Sequence, residues 1–317
     1  MARRVVVAGG TGFIGRALVR RLVERGYETI VLSRSPARVP ELFGGAARGG
    51  PWDGASADRW LSYADGAFAV VNLSGDNIAE GRWNASKKDR ILRSRLDAGA
   101  AVLDAVERAA VKPAVVVQGS AVGYYGSRGE ELIDELSAKG SGFLSDVCAS
   151  WERSTAGVAA FGARHVIVRT APVLGANGGF LDRLTPIFRR YLGGVVGDAA
   201  SWMPWIHLDD EADALVFLLE REDLGGVFNL SSPNPVRRRE FYRTLARSLD
   251  RPAAIPIPAI ALRVLLGEVA DELILAGQRV VPRRLLDAGF RFGHPGLEEA
   301  LRGVFPSRAA GGRLLHG

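Results

Sequence analysis

The stretch RVVVAGGTGFIG, residues Arg4 to Gly15, decides the fold of this chain. Its apolar part, 4–8, predicts a buried strand, and the glycines that follow predict a sharp turn into a helix over 13–25. Glycines at such a turn let the backbone approach a pyrophosphate, which the partial positive charge of the helix N-terminus then faces. The stretch therefore predicts a dinucleotide site formed by Gly9, Gly10, Thr11, Gly12, Phe13, Ile14 and Gly15.

The end of the second predicted strand indicates which dinucleotide binds. Strand 28–33 is followed by Arg34, and no Asp or Glu occurs between Glu28 and Glu41. NAD-binding units usually place a carboxylate here for the ribose hydroxyls, whereas an Arg beside a hydroxyl suits the 2′-phosphate of NADP. The sequence therefore predicts NADP, as NADPH, held by Ser33 and Arg34. The alternative is that Arg34 is only an exposed surface residue.

Short apolar runs alternate with amphipathic segments through the first half of the chain. Further strands are predicted at 67–73, 114–119 and 165–170, with helices at 88–109 and 144–160, a pattern typical of a parallel sheet buried on both faces. We predict an α/β protein with a Rossmann-type doubly wound parallel sheet and a smaller, mostly helical C-terminal substrate-side portion. The predicted units are an NADP-binding domain over 1–172, its sheet completed by later segments such as 225–231, substrate-side segments over 173–250, a small C-terminal domain over 251–306 and a disordered tail over 307–317.

The composition excludes several classes of protein. Of 317 residues, 47% are hydrophobic and 24% are charged, which excludes disordered and collagen-like chains, and the single Cys148 cannot form an intramolecular disulfide. The longest stretch without charge, 113–127, is too short and too polar to span a bilayer. The net charge of +6 arises from an arginine-rich composition without a nucleic-acid-binding motif. We expect a cytoplasmic monomer or homodimer that binds a small-molecule substrate and neither nucleic acid nor membrane.

Several further motifs resemble the extended short-chain dehydrogenase/reductase superfamily of the NAD(P)-dependent epimerase/dehydratase type. They are VVNLSG at 70–75, GSAVGYYG at 119–126, VRTAPVLG at 168–175 and WIHLDD at 205–210. SGDNIAEGRW at 74–83 and the tail motif GQRVVPRRLLDAGFRF resemble an atypical subgroup called epimerase family proteins. That subgroup is close to a bacterial sugar-nucleotide epimerase-like protein and carries a C-terminal domain of unknown function. The resemblance implies further contacts to the dinucleotide from Leu73, Ser74 and Gly75.

The usual proton-transfer pair of this superfamily is missing. Typical members take a proton with the tyrosine of a Tyr-x-x-x-Lys motif, which this sequence lacks. Alignment on Glu152 puts Leu144 at the tyrosine position and Cys148 at the lysine position. We expect Cys148 to be a small core residue whose thiol faces the sheet.

Ser120, Tyr124 and Tyr125 remain as catalytic candidates. The resemblance places Ser120 at the strand end where the family orients its substrate. Tyr124 and Tyr125 follow it closely, and Arg128 stands four residues after Tyr124, so a cation could support an acid–base role for a phenol. The alternative for both tyrosines is ring packing with a hydrogen-bonded hydroxyl.

Two other sets of polar residues have candidate roles, either in binding or in local structure. Arg95 lies on the long predicted helix that lines the active site in this superfamily, and it is a candidate for binding an anionic group of the substrate. A helix-surface ion pair is the alternative for Arg95. We expect Asp209 or Asp210 to cap the helix that follows them and His207 to bond locally. No metal site is predicted, because four histidines and one cysteine show no ligand spacing.

The motifs together favour an NADP-dependent oxidoreductase or epimerase that acts on a small carbonyl or sugar-like substrate, such as a nucleotide sugar. The alternative is a non-catalytic NADP-binding sensor or regulatory protein, because sequences that this chain resembles have been labelled cell-division inhibitors. The missing base favours the sensor, whereas Ser120 and the substrate-side segments favour the enzyme.

Overall fold

Seven parallel strands form the central sheet of the computed structural model, which describes residues 3–253 and 256–305. In chain order the strands are β1 (Arg4–Ala8), β2 (Glu28–Ser33), β3 (Arg48–Pro51), β4 (Ala69–Asn72), β5 (Val115–Ala121), β6 (Leu132–Ile133), β7 (Arg164–Thr170), β8 (Val173–Leu174), β9 (Trp202–Met203), β10 (Ile206–His207), β11 (Gly226–Leu230), β12 (Val236–Arg237) and β13 (Arg279–Val280). The helices are α1 (Phe13–Glu24), α2 (Val39–Leu42), α3 (Leu61–Ala64), α4 (Ala85–Arg108), α5 (Phe143–Arg153), α6 (Gly179–Arg189), α7 (Leu208–Glu220), α8 (Arg238–Ser248), α9 (Ala259–Leu266), α10 (Arg283–Asp287) and α11 (Leu297–Val304). The predicted tail over 307–317 lies outside the described residues.

The strand order, β11-β7-β5-β4-β1-β2-β3, confirms the predicted doubly wound fold. β2 and β3 lie on one side of β1, and the chain then crosses to β4 on the other side. Val7 of β1 accordingly pairs with Val31 on β2 and with Val71 on β4. In such sheets ligands bind outside the carboxyl ends of the strands, at the point where the winding reverses. That point lies between β1 and β4.

Different helices cover the two faces of the sheet. The face that carries Val5 and Val7 packs against α1 and α7. The face that carries Val6 and Ala8 packs against α3 and α4. Because side chains alternate across a strand and both faces are buried, the strands read as continuous apolar runs in the sequence.

Three differences from the sequence-based prediction lie in the central sheet and in the helices beside it. β3 is not predicted, because its residues RGGP contain no apolar run. The predicted helix 144–160 is divided into α5 and a separate 3-10 turn at Ala156–Phe161. The helix predicted from residue 88 begins at Ala85, because the side chain of Asn84 accepts a 2.8 Å hydrogen bond from the amide of Lys87 and caps it.

The residues after β8 build a third core beyond the carboxyl ends of the strands. It is formed mainly by α6, α8 and α11 and includes Leu181, Phe188, Trp205, Phe241, Leu245 and Leu301. α11, from the predicted C-terminal domain, thus packs against α8 of the preceding segments. Among the described helices, none has the length and apolar character needed to cross a membrane.

The C-terminal residues fix the loop that follows β5. β13 pairs in parallel with β6, next to that loop. Just before β13, the side-chain amide of Gln278 donates hydrogen bonds to the carbonyls of Val122 and Gly126, at 2.8 and 2.7 Å. The strand end that carries Ser120 is therefore supported by the C-terminal segment.

Candidate functional site

The glycine loop after β1 is shaped by close backbone packing. Gly9 has a φ of +81°, and a Cβ there would lie 2.7 Å from the carbonyl carbon of Leu73. A Cβ on Gly15 would lie 2.2 Å from the carbonyl oxygen of Gly9. Only glycine fits at these two positions. Gly9 lets the turn pack against the residue that follows β4, and Gly15 lets α1 pack against the turn. The predicted segments 9–15 and 73–75 are therefore brought together.

The N-terminus of α1 is open toward the carboxyl edge of the sheet. Gly12 is its N-cap, no side chain caps it, and its first turn has no acidic residue. A Cβ on Gly12 would meet only the Gly9 carbonyl oxygen, at 3.2 Å, so the outer side of Gly12 faces open space. Oγ of Ser74 is buried there without a hydrogen-bond partner among the described residues. Free amides, a helix dipole and an unpaired hydroxyl fit a bound pyrophosphate.

The end of β2 presents an arginine without an ion pair among the described residues. Arg34 is exposed, and Oγ of Ser33 accepts a hydrogen bond from the amide of Ser35. Sequence reasoning missed Asp53. It follows β3, two residues after Pro51, and Pro51 pairs with Ser33 at the end of β2. The Asp53 carboxylate accepts hydrogen bonds from two amides of its own turn, which lower its pKa. Arg34 therefore remains available to a phosphate.

Ser120 joins a buried ion pair at the end of β5. Its hydroxyl donates a 2.7 Å hydrogen bond to Oε1 of Glu152 on α5. Arg169 on β7 donates two hydrogen bonds of 2.8 Å, one to each oxygen of Glu152. Burial acts to lower the pKa of Arg169, but its bonds to Glu152 and Tyr125 outweigh burial and raise that pKa. The Glu152 carboxylate, which accepts two hydrogen bonds from Arg169, thus holds the Ser120 hydroxyl in place.

The two tyrosines have different surroundings. Tyr125 is fully buried, and its hydroxyl donates to Asn229 at 2.7 Å and accepts from Arg169 at 3.0 Å. Burial raises the pKa of Tyr125 to about 12, which suits a structural hydrogen bond and not the predicted acid–base role. Tyr124 is half-buried, and the guanidinium carbon of Arg169 lies 3.4 Å from its ring centroid.

The cation beside the tyrosines is not the one that the sequence suggested. Arg128 donates to the carbonyls of Tyr125 and Ala138 and pairs with Glu131, so its charge is directed away from the phenol hydroxyls. Arg169, far from Arg128 in sequence, takes its place.

Cys148 lies on α5, which packs against β5 and the turn that follows it. A Cβ built on Gly123, in that turn, would lie 3.7 Å from the Cys148 sulfur. Burial, followed by the charge of Glu152, raises the pKa of Cys148 to about 11. The thiol is therefore protonated at neutral pH, as suits a small core residue.

Arg95 is a buried cation and not part of a helix-surface ion pair. Its guanidinium lies beside Gly75, stacks on the ring of Trp151 at 4.8 Å and donates to the carbonyls of Ile91 and Asp76. It makes no ion pair with a described carboxylate. Burial lowers the pKa of Arg95. An unpaired cation next to the predicted dinucleotide segment is able to receive an anion.

The start of α7 is capped by a histidine. His207 is the N-cap, and its Nδ1 accepts a 3.2 Å hydrogen bond from the amide of Asp209, so this residue bonds locally as predicted. The expectation that Asp209 or Asp210 caps α7 was wrong, because Asp210 accepts instead from the amides of Gly293 and His294. The fold also brings His207, Asp209 and His294 together, which no spacing in the sequence indicated.

Comparison with known proteins gives two family matches. The model described as NAD dependent epimerase/dehydratase family matches residues 5–231, and Domain of unknown function (DUF1731) matches residues 257–304. The Epimerase family protein MT2273 of Mycobacterium tuberculosis is 39% identical over 303 residues, which cover 95% of this chain and 97% of that protein.

Two solved structures are also similar. A crystal structure of human epimerase family protein SDR39U1 (isoform2) with NADPH has a TM-score of 0.84 and 33% identity, covering 95% of this chain and 98% of that one. The nucleoside-diphosphate sugar epimerase from Corynebacterium glutamicum has a TM-score of 0.77 and 28% identity, covering 96% of this chain and 58% of that one.

Proposed function

The chain belongs to the NAD dependent epimerase/dehydratase family, and from this premise we propose that it is an NADP-dependent oxidoreductase or epimerase of a small carbonyl or sugar-like substrate. The similar human protein was solved with NADPH, and the similar Corynebacterium protein is named a nucleoside-diphosphate sugar epimerase. These names support NADP as cofactor and make nucleotide sugars the first substrates to test. The lone cysteine supports the cytoplasm as its compartment, where we expect a monomer or homodimer.

The cofactor is assigned to the carboxyl edge of the sheet. In this proposal the turn 9–15 and the segment 73–75 hold the pyrophosphate, and Ser33 with Arg34 holds the 2′-phosphate. The open N-terminus of α1 and the unpaired Ser74 hydroxyl support this assignment. When bound, NADP accepts or supplies a hydride at its nicotinamide ring.

Ser120 is assigned to the oxygen of the substrate carbonyl. β5 is separated from β1 only by β4, and neighbouring strands are about 4.8 Å apart, so Ser120 lies roughly 10 Å across the edge from the glycine loop. The hydroxyl now donates to Glu152, and by rotating its proton it can donate to a substrate oxygen as negative charge develops there. Arg169 keeps Glu152 in place during that rotation.

Tyr124 and Arg95 are assigned to the substrate side. The Tyr124 hydroxyl has no hydrogen-bond partner among the described side chains and is the tyrosine able to exchange a proton with substrate. Tyr125 is excluded from that role by its bonds to Asn229 and Arg169. The buried guanidinium of Arg95 is the candidate to bind an anionic group, such as a substrate phosphate.

The observation that carries the proposal is the buried hydrogen-bond network of Ser120, Glu152 and Arg169, which lies at the same sheet edge as the glycine loop. The test is loss of the near-ultraviolet absorbance of NADPH with a library of carbonyl compounds, together with a search for epimerised nucleotide sugars. Once a substrate is found, Ser120→Ala should reduce turnover by about 10² to 10³. Cys148→Ala should leave it nearly unchanged. A dead Cys148→Ala beside an active Ser120→Ala would contradict the assignment.

A non-catalytic NADP sensor is the second candidate. It is favoured by Leu144 and Cys148, which stand where the superfamily carries its tyrosine and lysine and are both buried. Tight NADPH binding without turnover of any library member, in a protein whose Ser120→Ala variant binds equally well, would favour the sensor.

A further inference from the structure

Two histidines and an aspartate from different parts of the chain meet at the start of α7. His207 ends β10, Asp209 lies in the first turn of α7, and His294 comes from the loop before α11. Nδ1 of His207 lies 3.7 Å from Oδ2 of Asp209, and Nε2 of His294 lies 3.9 Å from the same oxygen. The imidazole ring centroids are 3.9 Å apart. Three side chains with metal-binding atoms therefore converge on one point.

Backbone hydrogen bonds hold His294 against His207. The Asp210 carboxylate accepts from the amides of Gly293 and His294, at 2.7 and 3.0 Å, which ties this loop to α7. His207 is buried and fixed as the helix cap. The ring nitrogens of His294 make no hydrogen bond to the described residues, and its Nδ1 is buried. The backbone therefore fixes the position of the His294 ring, whose buried Nδ1 has no hydrogen-bond partner among the described residues.

We propose that His207, Asp209 and His294 bind a divalent transition-metal ion such as Zn²⁺. Zinc lies about 2.0 to 2.2 Å from nitrogen and oxygen ligands, so the ligand atoms of a tetrahedral site are roughly 3.3 to 3.5 Å apart. The two observed distances to Oδ2 exceed this range by only a few tenths of an ångström, and all three ligand atoms lie within 4.8 Å of one another. Side-chain rotations that bring the two ring nitrogens closer together would complete the geometry. Two imidazoles favour a transition metal over Mg²⁺ or Ca²⁺, which prefer oxygen ligands.

Solvent reaches this cluster from one side. The side chain of His207 is 9% exposed, whereas those of His294 and Asp209 are 27% and 51% exposed. An ion can therefore enter past Asp209 and keep water as its fourth ligand, while the His207 side is closed. A bound ion would join the loop 293–294 to α7, which packs against α1.

Local charges limit the expected affinity. The Nδ1 atom of His207 accepts the amide of Asp209, and metal binding at this nitrogen displaces that bond. The guanidinium of Arg21 lies 3.6 Å from Oδ1 of Asp209, and the N-terminus of α7 adds a partial positive charge. We therefore expect a dissociation constant on the order of micromolar.

The test is metal titration of the full chain after treatment with a chelator. Calorimetry with Zn²⁺ should give one ion per chain, and Co²⁺ should produce the visible absorption bands of a tetrahedral site. The melting temperature should rise with Zn²⁺ concentration, because the ion binds the folded chain. His294→Phe, which keeps a planar ring, and Asp209→Asn should each weaken Zn²⁺ binding at least about tenfold.

The other two histidines provide matched controls. His165→Gln, and His316→Gln in the part of the chain outside the described residues, should bind Zn²⁺ as the parent does. No binding at about 100 micromolar Zn²⁺, or equal binding by the parent, His294→Phe and Asp209→Asn, would overturn the proposal.

Discussion

The two halves of the candidate site are made in different ways. The proposed pyrophosphate part of the dinucleotide half consists mainly of backbone and glycine from one continuous turn, between Gly9 and Gly15. The half around Ser120 consists of buried charged side chains, Glu152 from a helix and Arg169 from a strand. The first half provides a fixed backbone shape with free amides. The second provides buried charges, which destabilise the fold unless they are paired.

This difference separates binding from stability. A change at Gly12 should remove the ligand and leave the fold intact, because the outer side of Gly12 faces open space. A change in the ion pair should damage the fold first, because it leaves an unpaired charge in the interior.

The largest effect is expected from Glu152→Gln. It leaves the buried guanidinium of Arg169 without its carboxylate, and the free energy of unfolding should fall by about 3 to 5 kcal/mol. Urea denaturation measures this loss. The matched control is Glu298→Gln, in an exposed pair with Arg302, which should cost less than about 1 kcal/mol. Equal losses of unfolding free energy in the two variants would mean that the buried pair contributes no more to stability than the exposed pair.

A second buried carboxyl, that of Glu211 on α7, should make stability depend on pH. Glu211 is fully buried, and desolvation raises its pKa from 4.5 to about 8, although a hydrogen bond from Thr170 opposes the shift. Because the folded state binds this proton more tightly than the unfolded state does, the stabilisation is complete below pH 4.5 and is lost as pH rises through 8.

Glu211→Gln mimics the protonated carboxyl and should therefore be more stable than the parent above pH 8, by on the order of a few kcal/mol, and similar to it near pH 4.5. Thermal melts at several pH values measure the difference. The exposed Glu222→Gln should follow the parent at every pH. A constant offset between Glu211→Gln and the parent would show that Glu211 does not titrate in this range.

Gly12→Val should abolish the dinucleotide site without unfolding the chain. The branched side chain fills the open space at the N-terminus of α1, and NADPH affinity should fall at least about a hundredfold, or roughly 2.7 kcal/mol. Fluorescence titration measures the affinity, and circular dichroism checks the fold. Gly296→Val, also in open space but away from the loop, is the control and should bind normally.

The smallest effect concerns the choice between NADPH and NADH. NADPH should bind at least about tenfold tighter, a difference of roughly 1.4 kcal/mol, because Arg34 pairs with the 2′-phosphate. Arg34→Ala should bring the two affinities together in calorimetry, whereas the exposed Arg20→Ala should not. An unchanged ratio in Arg34→Ala would remove this arginine from the site.

The same contrast explains what the sequence predicts well. The sheet and the glycine turn follow from contiguous patterns, and both agree with the structure. β3 escapes prediction because two glycines replace its apolar residues, and Asp53 escapes with it. Glu152 and Arg169 have a weak signal, namely a charge inside the apolar strand HVIVRT, but nothing in the sequence identifies the partner of that charge.

The His207, Asp209 and His294 cluster is hidden for the same reason. Metal ligands are recognised in a sequence by short spacing, and His294 joins the other two only because Asp210 ties its loop to α7. Side chains that meet through tertiary structure require the folded chain to be seen.

A crystal structure of the chain with NADPH would decide whether the glycine turn and Ser120 belong to one site. We expect the pyrophosphate at the N-terminus of α1 beside Gly12, the 2′-phosphate at Arg34 and the nicotinamide ring in contact with Ser120. A dinucleotide bound away from the glycine turn, or a nicotinamide directed away from Ser120, would contradict this expectation.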